Sequence, residues 1–454
     1  MRPVSLSELA APLGGRVQGG DCRFDTVSTD SRALGAGDLF VALRGGDVVA
    51  HAALLQVAQG GAAGAIVSAP AAIDLPQLVV PDTQVGLGRL GAFNRVLYSG
   101  PLVAITGSSG KTTVKNMVQA VLSRQGETVA TEGNLNNEIG VPLTLLRLTG
   151  RTRYAVVEMG AAGAGHIAWL CELGRPTVSV LVNAMAAHLD GFGSVENVAA
   201  AKGEIFDGLG EGATAVINAD QPWASQWRRR AGAARVLDFG MREPAAISAG
   251  GVNVRGVEGV AFTASTPVGE IAVRLSLPGE HNVANALAAI AVGLALELNL
   301  TDIRDGLESL RPVDGRLCAR RAPGGFTLID DCYNANPGSV RAAVDVLAAC
   351  PGRRSLVLGA MRELGSDSDK LHRQVGEYTR AAGIERFWGV GPELRPAVEA
   401  FGAGGEFCTD REEALESLRG AMGEDDTVLV KGSRGAGMEQ IVEALLAVPS
   451  VPED

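Results

Sequence analysis

The sequence predicts an α/β protein of three domains. These are a small N-terminal α/β domain over residues 1–100, a central P-loop domain with a mainly parallel sheet over 101–311, and a C-terminal Rossmann-like domain over 312–454. Three observations carry this. A chain of 454 residues is longer than one hydrophobic core usually serves. From about residue 101, apolar runs of strand length alternate with helix-length stretches, the pattern of parallel strands joined by crossover helices. A second series of such runs begins after Arg311-Pro312.

The elements follow in order. In the first domain VSLSELAAPLGG patterns as a short helix and DLFVAL as a strand; HAALLQVAQGGAAGAIV is a helix running into a strand, and LPQLVV is another strand. The second opens on an apolar strand at 102–105, and further strands are expected at 128–131, 154–159, 177–182 and 214–218. VAFTAS and EIAVRLSL read as antiparallel edge strands, followed by the helix HNVANALAAIAVGLALEL. In the third domain FTLIDD, RSLVLGA, RFWGVG and DTVLVKG are strands, with SVRAAVDVLAA and MEQIVEALLAV as helices. Ligands of such sheets sit beyond the carboxyl ends of the strands. The polar clusters fall at those ends in both larger domains, so two facing half-sites are expected.

Composition removes several function classes. With 46% hydrophobic and 20% charged residues the chain is globular in type. A net charge of −11 argues against a general nucleic-acid binder, because attraction to phosphates supplies most non-specific affinity. The six cysteines are scattered without a C-x-x-C pair, which favours free thiols in a reducing compartment. No segment offers an uninterrupted apolar membrane span. A cytoplasmic enzyme is expected.

The chemistry starts at PLVAITGSSGKTTVKNMVQAVL, residues 101–122. A strand, a glycine turn and a helix in that order make a phosphate cradle, with a helix N-terminus aimed at the anion. Gly107 and Gly110 let the backbone turn tightly around Ser108 and Ser109, and Thr113 follows in the opening helix. Lys111 brings a positive charge for the terminal phosphates and Thr112 a hydroxyl for Mg²⁺, so a nucleoside triphosphate with its metal is the expected ligand. The glycine that would open the longer textual motif is replaced by Ile105.

Other residues gather at strand ends. Glu158 closes YAVVE and is suited to Mg²⁺ opposite Thr112; a solvated strand-end carboxylate is its plainer role. His188, one of five histidines, follows TVSVLVN and is either a ligand on the catalytic face or a structural residue. Asn282 and Asn285, in HNVAN with His281, share a helix face and serve either as caps or as ligand contacts. DDCYNANPGS places Asp330, Asp331, Tyr333, Asn334 and Asn336 after a strand, either for a ligand or as an Asx turn before Pro337. Lys431 and Arg434 in KGSRGAG could hold a carboxylate or phosphate.

TGSSGKTT, GNLNNEIGVP, VVEMG, AAHLDGFGS, AKGEIF, PGEHNVANALAA, PVDGR, DDCYNANPGS and LVKGSRGAGMEQIV occur in this order, and together they resemble the Mur ligases, ATP-dependent amide-forming enzymes of peptidoglycan precursor synthesis. The N-terminal STDSRALGAGDLFVAL resembles the uridine-nucleotide domain of that family. The last two motifs resemble the member that joins D-alanyl-D-alanine to UDP-N-acetylmuramoyl-tripeptide. The resemblance implies that Lys111, Thr112 and Glu158 serve ATP and a first Mg²⁺, and that His188 serves a second Mg²⁺. Lys202 would then be a carbamylated lysine supporting the metals. Asn282, Asn285, Arg316 and Asp331 would contact ATP. Asp30, Ser31 and Arg32 would line the uridine diphosphate pocket, and Asn136 and Asn137 the muramyl-peptide site. Asn334, Asn336 and Lys431 are the candidates for the incoming dipeptide. A monomer is expected, and because the two half-sites lie on separate domains, closure on ligand binding is expected too. Two stretches depart from the family: Ala360 stands where Asp is frequent, and Asp47–His51 replaces an Asp-Gly-His-like run. A sibling ligase adding a diamino acid and a nucleotide-driven switch are the competing readings.

Overall fold

The computed structural model describes residues 1–43, 47–187 and 189–447. Four sheets carry the architecture: a two-stranded antiparallel ribbon and a five-stranded sheet near the N-terminus, then sheets of nine and six strands. The expected α/β class with a mainly parallel central sheet is what the chain forms.

The nine-stranded sheet is built around strand Leu102–Thr106, flanked on one side by Tyr154–Glu158 and on the other by Val178–Leu181, both parallel to it. Period-two burial explains its central place. Val103 and Ile105 face one core with helices Lys111–Ser123 and His281–Ala295, whereas Leu102 and Ala104 face the other with helices Gly140–Leu146 and His166–Gly174. A strand apolar on both faces must be covered on both. The chain lays its next two strands on one side of Leu102–Thr106 and the later ones on the other, so the order reverses at its carboxyl end. That crevice is where ligands bind in open α/β sheets. Strands Val260–Thr266 and Gly269–Leu275 close the far edge antiparallel, as expected.

The six-stranded sheet repeats the device. Strand Thr427–Lys431, last in the chain, inserts between Thr327–Asp331 and Arg354–Gly359. Asp331 and Lys431 therefore end adjacent strands in register.

Several elements went unread in the sequence. Helix Thr83–Leu97 is one, because Gly86, Gly88 and Gly91 lower its intrinsic propensity. Packing explains them: a Cβ on Gly91 would lie 2.9 Å from the Pro142 backbone. The helix also anchors to the central domain through polar side chains. Arg95 donates to the carbonyls of Gly174, Tyr98 and Arg175, and Asn94 to those of Leu145 and Leu148. The edge strands Cys318–Arg321 and Gly405–Cys408 were also unread, being half-exposed and short.

Candidate active site

A cleft of about 580 Å³ runs between the carboxyl ends of the two larger sheets. The loop Ser108–Thr113 forms one wall. Gly110 caps helix Lys111–Ser123 with φ +80° and no side-chain cap, which leaves the helix N-terminus open to an anion. Glycine is needed there twice over, because a Cβ would also lie 2.8 Å from Asn285 Oδ1. Ser108 Oγ donates to the Met185 carbonyl and accepts from its N–H, and Asn183 Oδ1 accepts from Ser109 N–H. These contacts fix the loop on the neighbouring strand end. Lys111 Nζ donates to the Gly107 carbonyl at 2.8 Å, curling the ammonium over the loop. Gly107 itself lies beneath the loop, where a Cβ would press on Val182.

Glu158, only 2% exposed, accepts from Thr112 Oγ1 at 2.8 Å and from Asn136 Nδ2 at 2.9 Å. A hydroxyl and a carboxylate this close are hard oxygen donors, and they fit Mg²⁺. No group of three or more His, Cys, Asp or Glu gathers among the described residues. Phosphate oxygens and water must therefore complete the shell of such an ion, as is usual for Mg²⁺ held with a nucleotide.

Lys202 is 1% exposed, on helix Val195–Gly203. Burial, with Lys111 nearby, pushes its ammonium down to about 7. Among the described residues nothing is hydrogen-bonded to or ion-paired with it. His188 lies outside the described residues, as do the side chains of Asp47–His51.

The opposite wall comes from the C-terminal sheet. The buried Lys431 Nζ donates to the buried Asp331 Oδ2 at 2.6 Å and to the Asn334 carbonyl at 2.9 Å. Burial pushes the Asp331 carboxyl up, and Lys431 opposes that shift. The sequence reading gave these two residues different ligands, yet the fold pairs them. Arg316 stacks its guanidinium 4.1 Å from the Tyr333 ring, with Arg434 at 5.6 Å. Asn336 caps helix Pro337–Ala348 through a capping box with Ser339, so its oxygen is already engaged. Asn336 therefore serves as a helix cap, where the plainer role expected for the segment is an Asx turn before Pro337. Asn137 Oδ1 similarly accepts from Ile139 and Gly140 N–H.

Asn282 and Asn285 meet as their spacing implies, Asn285 Nδ2 donating to Asn282 Oδ1 at 2.9 Å. Neither caps the helix, since Glu280 holds that position; Asn282 Nδ2 donates to the Pro278 carbonyl instead. The same cleft is lined by Ser108–Thr113, Asn136, Asn137, Glu158, Lys202, Asn282, Asn285, Arg316, Asp331, Asn334, Asn336 and Lys431. It does not reach Asp30, Ser31 or Arg32. Those lie in the N-terminal domain, where Arg32 chelates Asp30 and holds its carboxyl down to about 2. Sequence reasoning missed Asn116, Asn134 and the His166–Glu138 pair, which is 2.9 Å apart at the cleft margin. Asn134 was findable, because it belongs to the same GNLNN run as Asn136.

An anion-binding P-loop with a metal-competent pair, facing a second Rossmann-like sheet across one cleft, defines a nucleotide-dependent two-substrate enzyme. Comparison narrows the class. The Mur ligase middle domain model matches residues 105–293, and the Mur ligase, glutamate ligase domain model matches 315–434. The UDP-N-acetylmuramoyl-tripeptide–D-alanyl-D-alanine ligase of Escherichia coli (strain K12) is 46% identical over 448 residues, covering 98% of this chain and 99% of that one. A crystal structure of MurF from Acinetobacter baumannii superposes with a TM-score of 0.93 at 34% identity, over 98% and 99% of the two chains. MurF ligase from Thermotoga maritima in complex with ADP gives 0.83 at 28% identity, over 92% and 96%. The chain belongs to the Mur ligase family.

Proposed function

We propose that this enzyme joins D-alanyl-D-alanine to the terminal carboxylate of UDP-N-acetylmuramoyl-tripeptide, with ATP converted to ADP and phosphate, in peptidoglycan precursor synthesis. One observation carries the reading. Lys111, Lys202 and Arg316 line the same cleft as the Thr112–Glu158 pair, and its far wall comes from the C-terminal sheet. Full-length similarity to the Escherichia coli ligase supports the choice of substrates within the family.

The first step brings two anions together. The tripeptide carboxylate attacks the γ-phosphorus of ATP; a C–O–P bond forms as the bond to the ADP oxygen breaks. Lys111 and the open helix N-terminus offset charge on the transferred phosphoryl group, and Arg316 reaches the same space from the C-terminal domain. Mg²⁺ held by Thr112 and Glu158, with a second ion near His188, would supply further charge neutralisation. In the second step the dipeptide amine attacks the acyl phosphate carbonyl, and phosphate leaves. Asn334, Asn336 and Lys431 line the same cleft and would hold the dipeptide so that its amine meets that carbonyl, which is a positioning task. Residues 1–100 would hold the uridine diphosphate end through Asp30, Ser31 and Arg32, residues 101–311 ATP, and residues 312–454 the dipeptide. Asn136 and Asn137 would meet the muramyl peptide, and Asn282, Asn285 and Asp331 the nucleoside.

Lys202 suits carbamylation. An amine held near pKa 7 is substantially neutral at ordinary pH and adds to CO₂, giving a carbamate and a proton. The product is an anion placed among cations. We further propose a cytoplasmic monomer; no helix among the described residues is long and apolar enough to cross a membrane.

Mass-spectrometric detection of products from ATP, the muramyl tripeptide and D-alanyl-D-alanine tests the reading. The pentapeptide nucleotide is expected. Product with meso-diaminopimelate on a dipeptide acceptor, and none with D-alanyl-D-alanine, would overturn it in favour of a sibling ligase.

A further inference from the structure

We propose that Lys115 is a positioning residue that holds Glu158 in place for a Mg²⁺-bound nucleotide. The proposal rests on the reading of Glu158 as a metal ligand. Lys115 lies one helical turn beyond Lys111 and three residues beyond Thr112, so Thr112 and Lys115 share a face of helix Lys111–Ser123. The side chain is 7% exposed and does not line the cleft. Burying a lysine ammonium is costly, and a role for this one is readable from its partners.

Lys115 Nζ donates to the Thr131 carbonyl at 2.9 Å. Thr131 Oγ1 in turn accepts from Glu158 N–H at 2.9 Å. Five residues along, Asn136 donates to Glu158 Oε1, and the Asn136 carbonyl accepts from Gly160 N–H at 2.7 Å. The helix thus grips Glu158 twice. Thr112 holds its carboxylate directly, and Lys115 holds the strand end that fixes its backbone and carries Asn136. When a cation takes up the Thr112 and Glu158 oxygens, the direct contact is rearranged. The Lys115–Thr131 tether does not involve those atoms and keeps the carboxylate aimed. Outer contacts of this kind typically change metal affinity or activity by about 10- to 100-fold.

Calorimetry of ADP binding to the full chain, in excess Mg²⁺ and in EDTA, reads this without turnover. For the parent protein Mg²⁺ is expected to tighten ADP binding. Lys115→Met should lose about 10-fold of that gain while Mg²⁺-free binding stays unchanged. Lys115→Arg, which keeps a cationic donor, should restore most of it. Thr131→Val, which removes only the hydroxyl under Glu158, should reproduce the Lys115→Met loss. An equal loss with and without Mg²⁺ in both variants would reduce Lys115 to a structural cation and overturn the proposal. Glu158→Gln separates the two ideas. If it keeps the full Mg²⁺ gain, the metal reading itself fails; if it loses the gain and Lys115→Met does not, only the tether is wrong.

Discussion

The two walls of the cleft handle charge in opposite ways. On the central wall the half-buried Lys111 stands near the buried Lys202, and desolvation pushes both ammonium groups down. Glu158 opposes that shift at Lys111. On the C-terminal wall the buried ammonium is already matched: Lys431 is paired with Asp331, while Arg316 lies on the Tyr333 ring and Asn336 is spent on a helix cap. A wall that sets Lys111 at an open helix N-terminus gains from receiving a polyanion. A compensated wall gains little from charge and must select its ligand by shape and hydrogen bonding. The difference matches a triphosphate on one side and a small zwitterionic dipeptide on the other.

The comparison can be broken by substitution. Lys111→Met removes the cation curled over the loop, and a loss of about 10³-fold in kcat/KM is expected, since a single donor to developing charge is worth about 10²–10³. A loss below tenfold, measured by phosphate release, would mean that this wall does not depend on its charge. The C-terminal wall should fail by stability first. Lys431→Met leaves a buried carboxylate unpaired and should cost about 3–5 kcal/mol. Lys431→Met with Asp331→Asn should melt at a higher temperature than Lys431→Met alone; a double variant melting no higher would contradict a neutralised pair.

A smaller effect comes from Lys202. Its pKa falls from 10.5 to about 7 on folding, so between those values the unfolded chain binds the additional proton. Its contribution to stability therefore rises as pH climbs through that window and is least favourable below it. In CO₂-free buffer, Lys202→Met should flatten the rise in melting temperature between pH 7 and 10, and an unchanged slope would count against the buried ammonium. The smallest effect is expected at Asn336. Asn336→Ala should cost about 1 kcal/mol in stability through the lost cap. A much larger rise in KM for the dipeptide than this cost implies would show that the amide also meets the ligand.

The central wall was more legible in the sequence than the C-terminal one, for a physical reason. A phosphate cradle is made by contiguous residues, so Gly107 through Thr113 announce it with strand and helix on either side. The Asp331–Lys431 pair joins residues a hundred positions apart, and only the insertion of the last strand between two earlier ones brings them together. Spacing correctly put Asn282 and Asn285 on one face, but left open what they touch. Lys202 illustrates the limit: a helical lysine reads as solvated until the fold buries it. Lys115 is similar, since its partner is a backbone carbonyl and no side-chain pattern points to it.

The central claim is that the cationic wall activates a carboxylate before the amine attacks. The most direct measurement uses muramyl tripeptide labelled with ¹⁸O in its terminal carboxylate, with ATP and D-alanyl-D-alanine. Attack on the γ-phosphorus transfers one labelled oxygen to each phosphate released, and that is the predicted result. Release of unlabelled phosphate alongside amide product would show that the carboxylate never joined the phosphoryl group, and would contradict the account.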